Sequence, residues 1–141
     1  MLVVLAGNAN SCMVADAISF LPAKEWKGYY SAYTEPLKLV IKTEEQWKEV
    51  WTKVHALQFP EPELPKIDFE KDMIIAVFMG ERRSGGFSIE IKNIVKTDKE
   101  VVVEVEERRP DPGSIVTMAL TRPYHMLVVK TSSLPLRFQY L

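Results

Sequence analysis

The strongest constraint on the fold of this chain is the apolar run MIIAVFM at residues 73–79. A run this short, with no alternation of polar and apolar residues, is typical of a strand that is buried on both faces. Residues 124–131, YHMLVVKT, form a second run of the same kind. The two runs predict central strands of a sheet.

Three further stretches alternate apolar and polar residues, as half-buried strands do. They lie at residues 87–95, 101–108 and 136–140. Antiparallel pairing of the first two would place Glu90 and Lys92 beside the acidic and basic side chains of residues 101–108 on a solvated face. We therefore expect an ion-paired outer face there.

An aromatic stretch from Trp26 to Tyr33, WKGYYSAY, precedes a turn at residues 34–36 and an alternating strand at residues 37–42. This order predicts a β-hairpin. Packing on the sheet is the commoner use of such rings. The alternative is an exposed aromatic strip that binds a glycan or peptide ligand.

The sequence predicts one helix, from about residue 43 to residue 55. Thr43 and Gln46 have the spacing of a capping box. A single apolar stripe follows at Trp47, Val50, Trp51 and Val54. The predicted fold is therefore α+β, with a mainly antiparallel sheet of six to seven strands and this helix packed on one face.

The composition indicates one ordinary globular domain, which we place at residues 18–141. The 141 residues include 18 basic and 19 acidic side chains, and the formal net charge is −1. This balance argues against binding to nucleic acid, which usually requires a basic surplus.

Residues 1–17 differ from the rest and are a candidate signal or lipoprotein-type segment. They are small and apolar and contain no basic residue. Residues 15–17, Ala-Asp-Ala, fit an A-x-A cleavage site, and residues 9–12 loosely resemble a lipobox that would lipidate Cys12. The alternative is a ragged terminus or an apolar first strand with a free thiol. We expect an extracytoplasmic or cell-envelope location, with membrane contact only through such an anchor.

No catalytic constellation is evident, and we predict no catalytic residue, no metal and no cofactor. The chain has only His55, His125 and a single cysteine, which is too few for a Cys–His nucleophile or a His/Cys metal site. Residues 84–86 lack the lysine and the length of a phosphate-binding loop. His125 is expected to be a hydrogen-bonded histidine of the core or its boundary. The protein is predicted not to be an enzyme.

The candidate functional surface is a contact site for a protein partner, formed by a turn and a corner. The turn follows the first central strand and combines two arginines with a Ser-Gly-Gly sequence, while the corner precedes the second central strand and combines a cation, a rigid proline and an amphipathic ring. The candidate residues are Arg82, Arg83, Ser84, Gly85, Gly86, Arg122, Pro123 and Tyr124.

An ordered set of short motifs runs from Trp26 to Leu141. It comprises Trp26-x-Gly28-x-Tyr30-Ser31, Trp47-x-x-x-Trp51, Pro65-x-x-Asp68-Phe69, Ser84-Gly85-Gly86-Phe87, Val103-x-Val105-x-Glu107, Pro110-x-Pro112-Gly113 and Thr121-x-Pro123-Tyr124. This pattern resembles the PrcB C-terminal domain family, small exported bacterial proteins named after a lipoprotein that associates with and stabilises a secreted protease. The resemblance implies a non-enzymatic, protein-binding domain of the cell envelope.

Overall fold

The computed structural model describes residues 18–19 and 22–141, which form two four-stranded sheets and one helix in three layers. The middle layer, here the inner sheet, has the strand order β2-β7-β4-β3, and the outer sheet has the order β1-β5-β6-β8. The elements are β1 (Ile18–Ser19), β2 (Lys24–Gly28), β3 (Leu37–Ile41), α1 (Glu44–Val54), β4 (Asp72–Phe78), β5 (Ser88–Lys96), β6 (Val101–Arg108), β7 (Tyr124–Lys130) and β8 (Leu136–Tyr140).

The two central strands of the inner sheet, β4 and β7, are the apolar runs of the sequence. They pair antiparallel from Asp72 opposite Lys130 to Phe78 opposite Tyr124. Alternate side chains of β4 point to opposite layers: Met73, Ile75 and Val77 belong to the core between the sheets, whereas Ile74, Ala76 and Phe78 belong to the core under the helix. The run is continuously apolar because both faces of β4 are buried, one in each core, as the sequence predicts.

The helix α1 begins and ends where the sequence predicts. Thr43 is the N-cap, and its hydroxyl accepts a hydrogen bond from the backbone N–H of Gln46 at 3.2 Å. The buried stripe packs on the inner sheet. Its two tryptophans donate their indole N–H groups to the proline-rich connection, residues 58–66, which follows the helix. Trp47 bonds the carbonyl of Pro65 at 3.1 Å, and Trp51 bonds that of Pro62 at 2.9 Å. The rings can be buried because these polar atoms are satisfied.

The outer sheet has the solvated face that the alternating pattern predicts. The strands β5 and β6 pair antiparallel, with a bulge between Ile91 and Asn93. Lys92 lies 3.5 Å from Glu90 and 3.8 Å from Glu106. These ion pairs are partly exposed, so each contributes well under about 1 kcal/mol. The last strand, β8, joins β6 in parallel.

The predicted α+β class and mainly antiparallel strands are confirmed, and the part of the chain that the structure describes contains the one predicted helix. Two details differ from the prediction. The described strands form two sheets instead of one, because an alternating pattern reports which face is buried and does not report which sheet a strand joins. The predicted hairpin is wrong: β2 pairs with β7 and β3 with β4, so the two strands lie at opposite edges of the inner sheet.

The predictions for residues 1–17, including lipidation of Cys12, lie outside the described residues. No helix in the part of the chain that the structure describes is long and apolar enough to cross a membrane.

Candidate functional site

The predicted turn and corner lie side by side, joined by backbone hydrogen bonds. Arg82 and Thr121 exchange two bonds, with N···O distances of 2.8 Å and 2.9 Å. Gly85 N–H donates to the carbonyl of Thr117 at 2.8 Å, and the Thr121 hydroxyl donates to the carbonyl of Ser84 at 2.9 Å. The segment before β7 is therefore attached along the whole turn that follows β4.

Arg122 connects this turn to the end of β2. Its Nε and Nη2 donate to one carboxylate oxygen of Glu81 at 3.0 Å and 2.7 Å, and its Nη1 donates to the carbonyl of Ser31 at 3.4 Å. Its backbone N–H bonds the carbonyl of Tyr29 at 2.6 Å. The role visible in the structure is thus to fix three chain segments relative to one another.

The other two arginines of the candidate surface differ in exposure. Arg83 is exposed, whereas Arg82 is partly buried with its guanidinium 5.5 Å from the ring centre of Phe87. Nη2 of Arg82 donates to the carbonyl of Met79 at 3.4 Å. Its Nε is buried and has no hydrogen-bond partner among the described residues. Arg82 is therefore a positioned cation with unused donors.

The glycine pair shapes the turn. Gly86 has a φ of +90°, and a Cβ atom there would lie 2.7 Å from Cβ of Pro110. Both the backbone conformation and the close approach disfavour any residue with a Cβ atom at this position. At Gly85 a Cβ would lie 3.4 Å from Cβ of Thr117, which is ordinary van der Waals contact. The role that the structure shows for this pair is packing of the turn against the segment that contains Pro110 and Thr117.

Pro123 and Tyr124 are not on the outer surface that the sequence suggested. Pro123 is buried, and the Tyr124 side chain turns towards the core under the helix, where the residue is 8% exposed. Burial also raises the pKa of the Tyr124 hydroxyl. Tyr124 opens β7, and the alternation along that strand assigns it to the helix side together with Met126 and Val128.

Sequence reasoning missed the most conspicuous surface feature, an apolar segment at residues 114–120. Ile115 is fully exposed, Met118 is 86% exposed and Leu120 is 54% exposed. The described segment has no strand pairing beyond the bridge at Thr121. The sequence of residues 114–121 is compatible with a strand or an extended loop, and the pattern alone does not reveal that these apolar side chains face solvent.

A groove of about 500 Å³ lies on the other side of Arg122, between β2 and the end of α1. Its lining includes the rings of Tyr29, Tyr30 and Tyr124 and the side chain of Leu57. Tyr30 is the most exposed of these rings, at 57%. The aromatic strip predicted for residues 26–33 is therefore divided, and only part of it faces a groove.

The remaining rings of that stretch belong to the core under the helix. Trp26 lies 5.3 Å from Trp47 and 5.5 Å from Trp51, measured between ring centres. Tyr33 lies 4.2 Å from Phe78. These contacts explain the tryptophans and Tyr33 as packing residues.

His125 is the hydrogen-bonded buried histidine that the sequence predicts. The backbone N–H of Ile91 donates to its Nδ1 at 2.9 Å, so the ring proton is on Nε2, which donates to Glu25 at 2.9 Å. Burial lowers the pKa of His125, and the hydrogen bond to Glu25 partly opposes this effect. The side chain links the two sheets and satisfies an N–H of β5.

Among residues 18–19 and 22–141, no three His, Cys, Asp or Glu side chains are grouped so that they could hold a metal ion.

The two packed sheets and the helix define a small α+β sandwich domain. Residues 73–130 match the family model described as PrcB C-terminal, which confirms the resemblance over this segment. The matched segment runs from β4 through β7 and contains both the turn and the apolar segment, whereas the motifs that suggested the family extend from residue 26 to residue 141. No curated protein and no solved structure matches the chain.

Proposed function

We propose that this protein is a non-enzymatic interaction domain of the bacterial cell envelope, and that it binds and stabilises a secreted protease. The docking surface consists of the turn at residues 82–86 and the apolar segment at residues 114–120. The observation that carries the proposal is the exposure of Ile115, Met118 and Leu120 on a segment that hydrogen bonds attach to the turn.

Clustered apolar side chains on an exposed segment are typical of protein interaction sites, because their burial on binding is favourable. Arginine and methionine are also enriched at such sites, and both occur here as Arg82, Arg83 and Met118. The Arg82–Thr121 and Gly85–Thr117 bonds hold the segment in place, which reduces the entropy cost of docking.

The protease partner and the envelope location are supported by different observations. The match to the PrcB C-terminal family model covers the docking surface, and the resemblance implies association with a secreted protease. The envelope location is supported by the apolar character of residues 1–17.

Capture from the native cells tests this proposal. The tagged full chain is compared with the double variant Ile115→Ser/Met118→Ser, after chemical crosslinking and mass spectrometry. Leu141→Ser is the control, because Leu141 is also an exposed apolar residue but belongs neither to the turn nor to the apolar segment. We expect a protease in the wild-type and control samples, and its loss from the double variant.

Two results would count against the proposal. A captured partner that is not a protease would overturn the protease assignment, and undiminished capture by the double variant would overturn the docking surface. Unfolding curves of the variants serve as the folding control, and they should coincide with that of the wild type to within about 0.5 kcal/mol because the substituted side chains are exposed.

The groove beside β2 supports a second candidate function, binding of a glycan or peptide. The exposed ring of Tyr30 next to an apolar wall is the kind of surface on which sugar rings or apolar side chains pack. Calorimetric titration with soluble envelope glycans and with a mixture of short apolar peptides tests it. Binding that Tyr30→Ala removes and Tyr140→Ala retains would support this function, and absence of heat with both ligand classes would exclude it.

A further inference from the structure

We propose that the partner places a carboxylate group on Arg82, next to apolar side chains that cover Ile115 and Met118. This inference rests on the proposed docking surface and specifies the chemistry that the surface recognises. The carboxylate can come from an aspartate or glutamate side chain or from the end of a chain.

The guanidinium of Arg82 is held in one position but is not neutralised. Phe87 supports it from one side at 5.5 Å, and the carbonyl of Met79 accepts from Nη2 at 3.4 Å. Nε is buried without a partner among the described residues, so a docked group does not reach it. Nη1 makes no hydrogen bond to the described residues and is not buried, so the edge of Nη1 and Nη2 is the one open to a partner. Partial burial without a counter-charge is costly for a permanently charged group, and a bound anion offsets that cost.

The acidic side chain nearest in sequence does not supply this counter-charge. Glu81 instead pairs with Arg122, whose Nε and Nη2 both donate to Oε1 of Glu81, and no ion pair joins Glu81 to Arg82. The ion pairs found among residues 22–141 include neither Arg82 nor Arg83. The turn therefore presents a positive surface to a partner.

The surroundings favour a carboxylate within a protein chain. A guanidinium presents a planar fork of donors that matches the geometry of a carboxylate, and such charge-assisted pairs set binding specificity. The turn is hydrogen-bonded to the apolar segment that bears Ile115 and Met118, so one partner segment can meet both features. The surface thus fits an apolar peptide segment that contains or ends in an acidic group.

Random short-peptide arrays test this inference with the folded full chain. One array carries peptides with blocked C-termini, and the other carries the same peptides with free C-terminal carboxylates. The labelled wild type is compared with Arg82→Gln and Arg82→Lys, with Ile115→Ser/Met118→Ser, and with Arg137→Gln as the matched loss of an exposed arginine on β8. Thermal unfolding of each variant verifies that it is folded.

We expect the peptides bound by the wild type to be apolar and to carry an acidic residue, or a free C-terminus on the second array only. Arg82→Gln should weaken their binding about tenfold or more, Arg82→Lys should weaken it less, and Arg137→Gln should leave it unchanged. Enrichment on the blocked array assigns the carboxylate to a side chain, and enrichment on the free array alone assigns it to a chain end.

The outcomes separate this inference from the proposed function. If the double variant loses peptide binding but Arg82→Gln does not, the docking surface stands and the carboxylate inference is wrong. If neither variant alters binding, both are wrong. Absence of any bound peptide on either array would overturn the carboxylate inference, while capture from the native cells independently decides the proposed function.

Discussion

Arg122 donates two hydrogen bonds to the same carboxylate oxygen of Glu81, from Nε at 3.0 Å and from Nη2 at 2.7 Å. The pair joins the segment just before β7, which contains Arg122, to the segment just after β4, which contains Glu81. It orders the corner without belonging to a core, since the Arg122 side chain is 22% exposed. The candidate surface therefore depends on an arginine with a positioning role.

Replacing Arg122 with glutamine should loosen this corner. The loss of a partly exposed, charge-assisted pair is expected to reduce the free energy of unfolding by about 1 kcal/mol. Denaturant unfolding measures the effect, and Arg137→Gln, which removes the more exposed pair with Glu100, should cause a smaller change. Equal effects of the two substitutions would contradict the positioning role of Arg122.

Gly86→Ala should destabilise the turn through two additive causes. The φ of +90° is unfavourable for alanine, and the new methyl group would lie 2.7 Å from Cβ of Pro110. We expect a loss of about 2–3 kcal/mol. Gly113→Ala is the matched control, because Gly113 has a φ of +83° but no atom near its Cβ position, and it should cost about 1 kcal/mol. Equal losses would show that the contact with Pro110 contributes nothing.

Trp51→Phe should weaken the attachment of the proline-rich connection to the helix. The substitution removes the indole N–H that bonds the carbonyl of Pro62 and part of a buried ring. The expected loss is about 1–3 kcal/mol, measured by chemical unfolding. Trp26→Phe changes a half-buried ring of the same cluster and should cost less. A larger loss at Trp26 would mean that ring packing outweighs the hydrogen bond.

Titration of His125, which lies between the sheets, should make the free energy of unfolding depend on pH. Burial lowers the pKa of His125 below its ordinary value of 6.5, so the unfolded chain binds a proton there more readily than the folded chain does. Stability should therefore be complete above that value and decrease as the pH falls below it. Glu25 and Glu90 favour the charged ring, and Lys27 disfavours it, but none of these outweighs burial.

Unfolding curves recorded over a series of pH values test this prediction. His125→Gln keeps a hydrogen-bond acceptor for Ile91 N–H but cannot titrate, so its stability should depend less on pH than that of the wild type. Glu25→Gln removes a charge that favours protonation, and it should make the dependence steeper. A wild-type curve that stays flat below the ordinary histidine pKa would refute the assignment of a neutral ring.

The parts of the fold that the sequence predicts are those in which local pattern decides the structure. The helix follows from the Thr43 cap and its apolar stripe, and β4 follows from its continuous run. The pairing of β2 with β7 does not follow, because strand partners distant in sequence are chosen by packing of the whole sheet. The turn residues 34–36 favoured a hairpin locally, and the tertiary pairing overrode them.

For the candidate site, the sequence selected a turn and a corner that the fold places side by side, but it did not indicate which side chains there are exposed. The exposed positions are Ile115 and Met118, whose residue types predict burial, whereas Tyr124 is an amphipathic ring that packs inward. Exposure depends on which neighbours the fold supplies. The one sequence pattern that could have indicated the burial of Tyr124 is the alternation along β7, which places Tyr124 on the same side as Met126 and Val128.

The burial of β4 on both faces has a consequence for how the domain opens. Because alternate side chains of this strand belong to the two cores, loss of either core removes half of its packing. The layers should therefore unfold as one cooperative unit, and the amide protons of β4 and β7 should exchange with solvent only through global unfolding. Arg82 lies two residues after Gly80, close to the end of β4, so we expect a partner that binds at the turn to slow the exchange of the β4 amide protons further.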